Sequence, residues 1–336
     1  MRRSLASLAI PFREPYVTAT GTVLTRELLL LRLEDDDGAV GLGEAAPFEP
    51  YDGTPLAPVA AALLDPGDGP VPPQARAAEE MALLDLEARR EGRPLCEPGA
   101  DAIAVNYTVA AGPPDEAVAK AKEGLRKGYS CFKLKVGLPD DADRVAAVRG
   151  ALGPWPALRL DANGAWGVEE AVERIDALAE HDLQLVEQPC PTLEELALVR
   201  RRVSVPIAAD EPIRGAGDVR AAAAAGACDA VSLKLATLGG VLPTRDAIRA
   251  AREEGLEPIL TSTLDGPWGI AAALHVAAAE RLTLACGLAT LDLFAARLAK
   301  AVRRPMAGVL EVPPGSGLGV DVEDEDLAEV LVEQLQ

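Results

Sequence analysis

The stretch Tyr129-Ser130-Cys131-Phe132-Lys133-Leu134-Lys135-Val136-Gly137 holds a contradiction within one short segment. Cys131, Phe132, Leu134 and Val136 have the composition of a buried strand, yet Lys133 and Lys135 interrupt it two residues apart. Alternation along a strand puts both lysines on the same face. The chain has only seven lysines against 26 arginines, so two on one strand face need a cause.

The surroundings suggest one. From about residue 101, short apolar runs alternate with helical stretches rich in Ala, Leu and Arg. Strands are expected at residues 102–109, 131–136, 157–160, 183–186, 205–209, 230–233, 258–260 and 284–286. The intervening helices are expected at 115–127, 140–152, 168–180, 193–201, 218–225, 243–254, 270–281 and 290–297. Regular alternation of this kind builds a parallel sheet, and eight units favour closure into a barrel. Ahead of it, strands at 27–34 and 39–44 flank the turn Asp35-Asp36-Asp37-Gly38, which reads as a hairpin. Loops are expected at 46–58 and 66–73, and an amphipathic helix at 74–91. Residues 1–98 therefore read as a small α+β domain, 99–305 as the barrel, and 306–336 as a segment packing back on the first domain.

Within this frame the charged residues fall into register. Lys135, Asp161, Glu187, Asp210 and Lys234 are 26, 26, 23 and 24 residues apart, one strand–helix unit each time. Each ends an apolar strand, and in a barrel those ends share the face that carries active sites. Any one of the three carboxylates alone could be a helix N-cap or a loop charge. All three, flanked by lysines, require a shared purpose, because charge in an apolar strand is costly unless it is paired or binds metal. Three carboxylates without His or Cys form a hard oxygen site suited to Mg2+, with Mn2+ as a substitute. A nearby dication and a low-dielectric pocket would lower a lysine pKa toward the range of a general base. The pattern points to removal of a proton beside a substrate carboxylate.

Composition removes other classes. The net charge of -20 disfavours a nucleic-acid partner. The five dispersed cysteines and two histidines lack metal-ligand spacing and suit a reducing compartment. No apolar window is long enough to span a membrane, and Arg13 with Glu14 cuts short the leader-like opening, so a cytoplasmic protein is expected. An Ala/Leu-rich helical exterior allows a homo-oligomer.

Lys133-Leu134-Lys135, Leu160-Asp161-Ala162-Asn163-Gly164-Ala165-Trp166, Val186-Glu187-Gln188-Pro189, Ala209-Asp210-Glu211 and Lys234-Leu235 together resemble the enolase superfamily, in its muconate-lactonizing branch. Gly41-Leu42-Gly43-Glu44-Ala45 resembles that family's capping domain. The resemblance implies a modified TIM barrel, (β/α)7β, with an α+β capping domain built from both chain ends. It implies Lys135 as acid/base with Lys133 as its electrostatic partner, and Lys234 as the lysine on the opposite face. It also implies Asp161, Glu187 and Asp210 as Mg2+ ligands, supported by Asn163 and Glu211.

Further stretches, residues 186–196, 262–265 and 286–290, are similar to members that dehydrate 2-succinyl-6-hydroxy-2,4-cyclohexadiene-1-carboxylate through an enediolate. Related members racemise N-succinylamino acids, epimerise dipeptides or cycloisomerise muconates. The epimerases usually carry an Asp-x-Asp pair on the last barrel strand, where this chain reads Cys286-Gly287-Leu288-Ala289. Phe48 and Tyr51, from a capping loop at 47–53, are expected to cover a small carboxylate substrate. Ser262, Asp265 and the bulky Trp268 are expected to line its pocket.

Overall fold

Seven strands form one parallel sheet in the computed structural model, which describes residues 1–18, 21–65 and 69–335. In order they are Tyr107–Val109, Cys131–Lys135, Ala157–Asp161, Leu183–Glu187, Ile207–Ala209, Ala230–Lys234 and Glu257–Thr261. The sheet curls until its edges meet across an eighth position, held by parallel bridges from Val105 to Cys286 and from Thr261 to Gly287. The Gly287 N–H donates to Leu260 O at 2.9 Å, and the Asn106 N–H to Cys286 O at 3.0 Å. This is the expected α/β barrel, with helices packed on its outside.

Three barrel expectations need correction. The expected strand at 284–286 is only this pair of bridges. The expected helix at 290–297 is two 3-10 turns, Leu291–Leu293 and Arg297–Lys300. Phe294 is buried against Phe12, with ring centroids 5.0 Å apart, and the Ala295 N–H donates to Pro11 O at 2.8 Å. Contact with the N-terminal strand thus outcompetes local helix propensity. The expected strand at 102–109 is divided. Ala102–Ala104 pairs antiparallel with Val309–Glu311, while Tyr107–Val109 joins the barrel.

Outside the barrel a second sheet runs Leu331–Gln334, Arg2–Thr18, Gly21–Glu34, Val40–Ala45. The hairpin closed by the Asp35–Gly38 hydrogen bond matches expectation. The long first strand does not figure in the sequence pattern, because its Ala and Ser residues blur the alternation. Leu28 and Leu30 join the large core shared with the barrel. Leu29, Leu31 and Leu33 join a smaller one with Val59, Leu63, Ala78 and Ala82 from two helices. A strand covered on both faces gains from apolar residues at every position, which explains the unbroken leucine run.

The expected loop at 46–58 contains the helix Glu49–Asp52 and the start of Leu56–Leu64. Pro50, Pro55 and Pro58 sit at helix starts, where a missing N–H costs nothing. Of the expected loop at 66–73, residues 66–68 lie outside the described residues. Pro73 opens the helix Pro73–Glu91.

That helix lies so close to Val40–Ala45 that only glycine fits between them. A Cβ on Gly43 would fall on the Ala78 carbonyl oxygen, and one on Gly41 on that of Ala82. Gly43→Ala is expected to destabilise the protein by about 1–3 kcal/mol in urea unfolding. Unchanged stability would show that the helix can move away freely.

Candidate active site

Lys133 and Lys135 turn into the barrel, where carboxylates from neighbouring strands meet them. Lys133 Nζ lies 3.1 Å from Glu187 Oε1 and 3.0 Å from Asp161 Oδ2. Lys135 Nζ donates to Asp161 Oδ2 at 2.7 Å and to Asn163 Oδ1 at 2.6 Å. Asn163 donates in turn to Glu211 Oε1 at 3.0 Å. Lys234 is paired with Asp210 and donates to the Tyr51 hydroxyl at 2.8 Å. Of the eight positions around the barrel, the Lys135 strand takes the second and the Lys234 strand the sixth, so the two lysines enter from opposite walls. The expected row is therefore assembled.

The row's oxygens face ammonium groups rather than one another. Among the described residues no three His, Cys, Asp or Glu side chains form a ready cage for an ion. Like charges crowded together are unfavourable, and each carboxylate instead takes a lysine. Burial resists ionisation of Asp161, but Lys133 and Lys135 outweigh it and hold the group below the usual carboxylate range. Burial also works against the ammonium of Lys135, yet Asp161 more than compensates and lifts its pKa, and Lys133 is raised in the same way. The expected lowering depends on a bound dication; from the side chains alone burial acts in the expected direction, but the carboxylates prevail. Three ammonium groups face Asp161, Glu187, Asp210 and Glu211, leaving a surplus negative charge. Burial, then Asp210, pushes Glu211 up to about 7, and its Oε2 is buried without a hydrogen-bond partner. An all-oxygen donor set with surplus negative charge and an orphaned carboxylate oxygen fits Mg2+.

The capping segment reaches the row through Tyr51, while Phe48 is buried. Sequence reasoning missed what holds this segment. Arg26, 2% exposed, donates to Ala46 O and Pro47 O on the capping side, and to Thr263 O and Leu264 O on the barrel side. Its guanidinium lies 4.8 Å from the Phe48 ring centroid. Glu44 accepts from the Gly266 N–H at 2.7 Å and the Gly269 N–H at 3.1 Å, capping the helix Pro267–Ala279 across the interface. A lone Arg in a strand and a Glu ending another give no sequence signal for such contacts.

The three expected pocket residues are each held by local packing or hydrogen bonds. Trp268, in the first turn of that helix, is 1% exposed. Asp265 is buried and turns to the Thr263 hydroxyl at 2.6 Å. Ser262 Oγ lies 2.9 Å from Thr290 Oγ1. Gln188, in the motif after Glu187, is a brace: its Oε1 accepts from the Asp210 N–H at 2.7 Å, and its amide donates to Cys190 O. It adopts φ of 42°, so the turn itself aims this amide.

The family described as "Enolase C-terminal domain-like" matches residues 116–327. This chain belongs to the enolase superfamily. Among superfamily relatives, the o-succinylbenzoate synthase of Thermobifida fusca (strain YX) is 40% identical over 333 residues, covering 97% of this chain and 91% of that protein. The dipeptide epimerase of Enterococcus faecalis V583, solved with Mg and the dipeptide L-Leu-L-Tyr, superposes with a TM-score of 0.87 at 27% identity, covering 96% of this chain and 99% of that one. The 2-chloromuconate cycloisomerase of Rhodococcus opacus 1CP gives 0.89 at 27% identity, covering 99% of each. The chain is accordingly a metal-dependent enzyme of the superfamily. Among the described residues no helix is long and apolar enough to cross a membrane.

Burial, with Asp265 alongside, pushes Glu44 from its ordinary 4.5 up to about 8, against the opposing pull of its two backbone partners and Arg26. Between those values the folded chain keeps a proton that the unfolded chain has released. The stability linked to Glu44 is thus complete below about 4.5 and is lost as pH rises through about 8. Glu44→Gln, similar in shape and uncharged, is expected to flatten this decline. Urea unfolding of both proteins across roughly pH 4 to 9 checks it. Parallel profiles would mean that Glu44 ionises alike in both states.

Proposed function

We propose that this enzyme is an o-succinylbenzoate synthase of the muconate-lactonizing branch, carrying out a syn dehydration of 2-succinyl-6-hydroxy-2,4-cyclohexadiene-1-carboxylate. The observation that carries the reading is the opposed pair Lys135 and Lys234 across the carboxylate row, in a chain 40% identical to a synthase along 97% of its length. Residues 1–98 with 306–336 would act as the cap, and 99–305 as the catalytic barrel.

Asp161, Glu187 and Asp210 would hold Mg2+, or Mn2+ in its place, with Asn163 and Glu211 in support. The bound ion would supply positive charge against the negative charge that develops on the substrate carboxylate, and would compete for the carboxylates that now raise the lysines. Lys135 Nζ removes the α-proton and returns a proton to the departing hydroxyl on the same face. Lys133 stays an ammonium, fixing Asp161 and Glu187. Lys234 presents positive charge from the far wall. Phe48 and the Tyr51 ring would exclude water from above.

Racemisation is the second reading, because opposed lysines can also serve the two enantiomers of one substrate. Dipeptide epimerisation is less well supported, since Cys286 and Leu288 are buried and apolar where an ammonium-binding carboxylate pair would be needed. A muconate-type cycloisomerase would use the same row on a different acid.

Glu187→Gln is expected to weaken Mg2+ binding at least roughly tenfold while the barrel remains folded. Calorimetric titration measures this, and equal affinity would remove Glu187 from the ligand set. The reaction itself is tested through the lysines. For the synthase, Lys135→Ala abolishes formation of the aromatic product, followed by absorbance. For a racemase, each of Lys135→Ala and Lys234→Ala still exchanges the α-proton of one N-succinylamino acid enantiomer with deuterated solvent, followed by NMR. Two-sided exchange in the unmodified enzyme without dehydration would overturn the synthase.

A further inference from the structure

The Tyr51 hydroxyl occupies a position that covering a substrate does not require. It accepts from Lys234 Nζ at 2.8 Å and donates to Asp210 Oδ1 at 3.1 Å. The same ammonium lies 4.5 Å from the Tyr51 ring centroid. Lys234 is thus held both by Asp210 and by a capping-segment side chain that bonds the same carboxylate oxygen. A lysine tethered at one point can swing on its flexible stem, whereas one held at two points stays put.

The loop is built to deliver that hydroxyl. Asp52, adjacent to Tyr51, accepts from the Phe48 N–H at 3.1 Å, the Thr54 N–H at 2.8 Å and Gln74 Nε2 at 2.8 Å. Gln74 belongs to the helix Pro73–Glu91, so the loop is tied to a rigid element on one side. On the other side Arg26 binds the carbonyls of Ala46 and Pro47 and joins them to the barrel loop at Thr263 and Leu264. Tyr51 is therefore anchored at both ends of its own segment.

From this geometry we propose that Tyr51 is a positioning residue, which through its hydroxyl fixes Lys234 on the wall opposite Lys135. The inference rests on the proposed role of Lys234 as the cation facing the substrate from that wall. It goes beyond the covering role of the ring, because it assigns the hydroxyl a separate task that phenylalanine cannot perform.

Tyr51→Phe keeps the ring and removes both hydrogen bonds. In the Mg2+-containing enzyme we expect kcat to fall roughly 10- to 100-fold, KM to stay within about twofold, and the melting temperature to be unchanged. We also expect Lys234, released from one of its two holds, to react severalfold faster with acetic anhydride. Peptide mass spectrometry reads this, with Lys133 as the internal reference. The labelling needs no substrate and so separates the two ideas: faster labelling in an enzyme without dehydratase activity would retain the positioning role and reject the synthase. Unchanged labelling would overturn the proposal. A raised KM with kcat intact would also overturn it, by making Tyr51 a substrate-binding group.

Discussion

Charge buried inside the barrel has to be answered by charge, and the arrangement above it depends on how that is done. Lys133 lies between Asp161 and Glu187, Lys135 on Asp161, and Lys234 on Asp210. A buried ion pair is a modest source of stability, but a buried charge without its partner is a large liability. Lys133 and Lys135 therefore have a structural duty, whatever chemistry they also perform. They allow three adjacent strands to end in carboxylates without driving those strands apart. The remaining imbalance falls on Glu211, at the edge of the row, where one oxygen lacks a partner and the pKa rises to about 7.

The mouth of the barrel is governed by a second buried charge. Burial lowers the Arg26 pKa to about 10, with Asp265 and Glu44 opposing the shift, so the guanidinium remains charged at neutral pH. Its donors go to backbone carbonyls of the capping loop, of its own strand and of the barrel loop at 263–264. Carbonyls in irregular backbone cannot satisfy one another as they do in a sheet, and a planar fork of five N–H groups fits several at once. Glu44 performs the complementary task, taking the free N–H groups at a helix start. One basic and one acidic residue thus join two differently folded parts by their backbones, which makes the position of Tyr51 over Lys234 a property of the whole interface.

In the proposed mechanism the row serves to remove the substrate proton, and the alternative reactions diverge after that step. A lysine on each wall permits two outcomes: a proton returned from the same side, or one returned from the other. Which one occurs depends on the leaving group and on how the substrate's tail is held, so it depends on the cap and on the segment closing the barrel. In the segment closing the barrel Cys286 and Leu288 are apolar and buried, so neither supplies a charge that would hold an ammonium.

The sequence by itself determined the barrel and its charged row. A period of about one strand–helix unit recurs in Lys135, Asp161, Glu187, Asp210 and Lys234, and strand alternation already puts Lys133 beside Lys135. The family motifs on those strands were legible for the same reason: each is a local run whose meaning does not depend on distant residues. Contacts between segments far apart in the chain were decided only by the tertiary structure. Arg26 meets Leu264 across 238 residues and Glu44 meets Gly266 across 222, and neither site has a local pattern of its own. The same holds where a local expectation failed. Residues 290–297 leave helix to bury Phe294 on Phe12. Tertiary structure also decides what surrounds the lysines, since desolvation can be inferred from an apolar strand but the carboxylates that outweigh it come from neighbouring strands. Periodicity records which face a residue takes, whereas its partner is set by packing, and packing is a property of the folded chain.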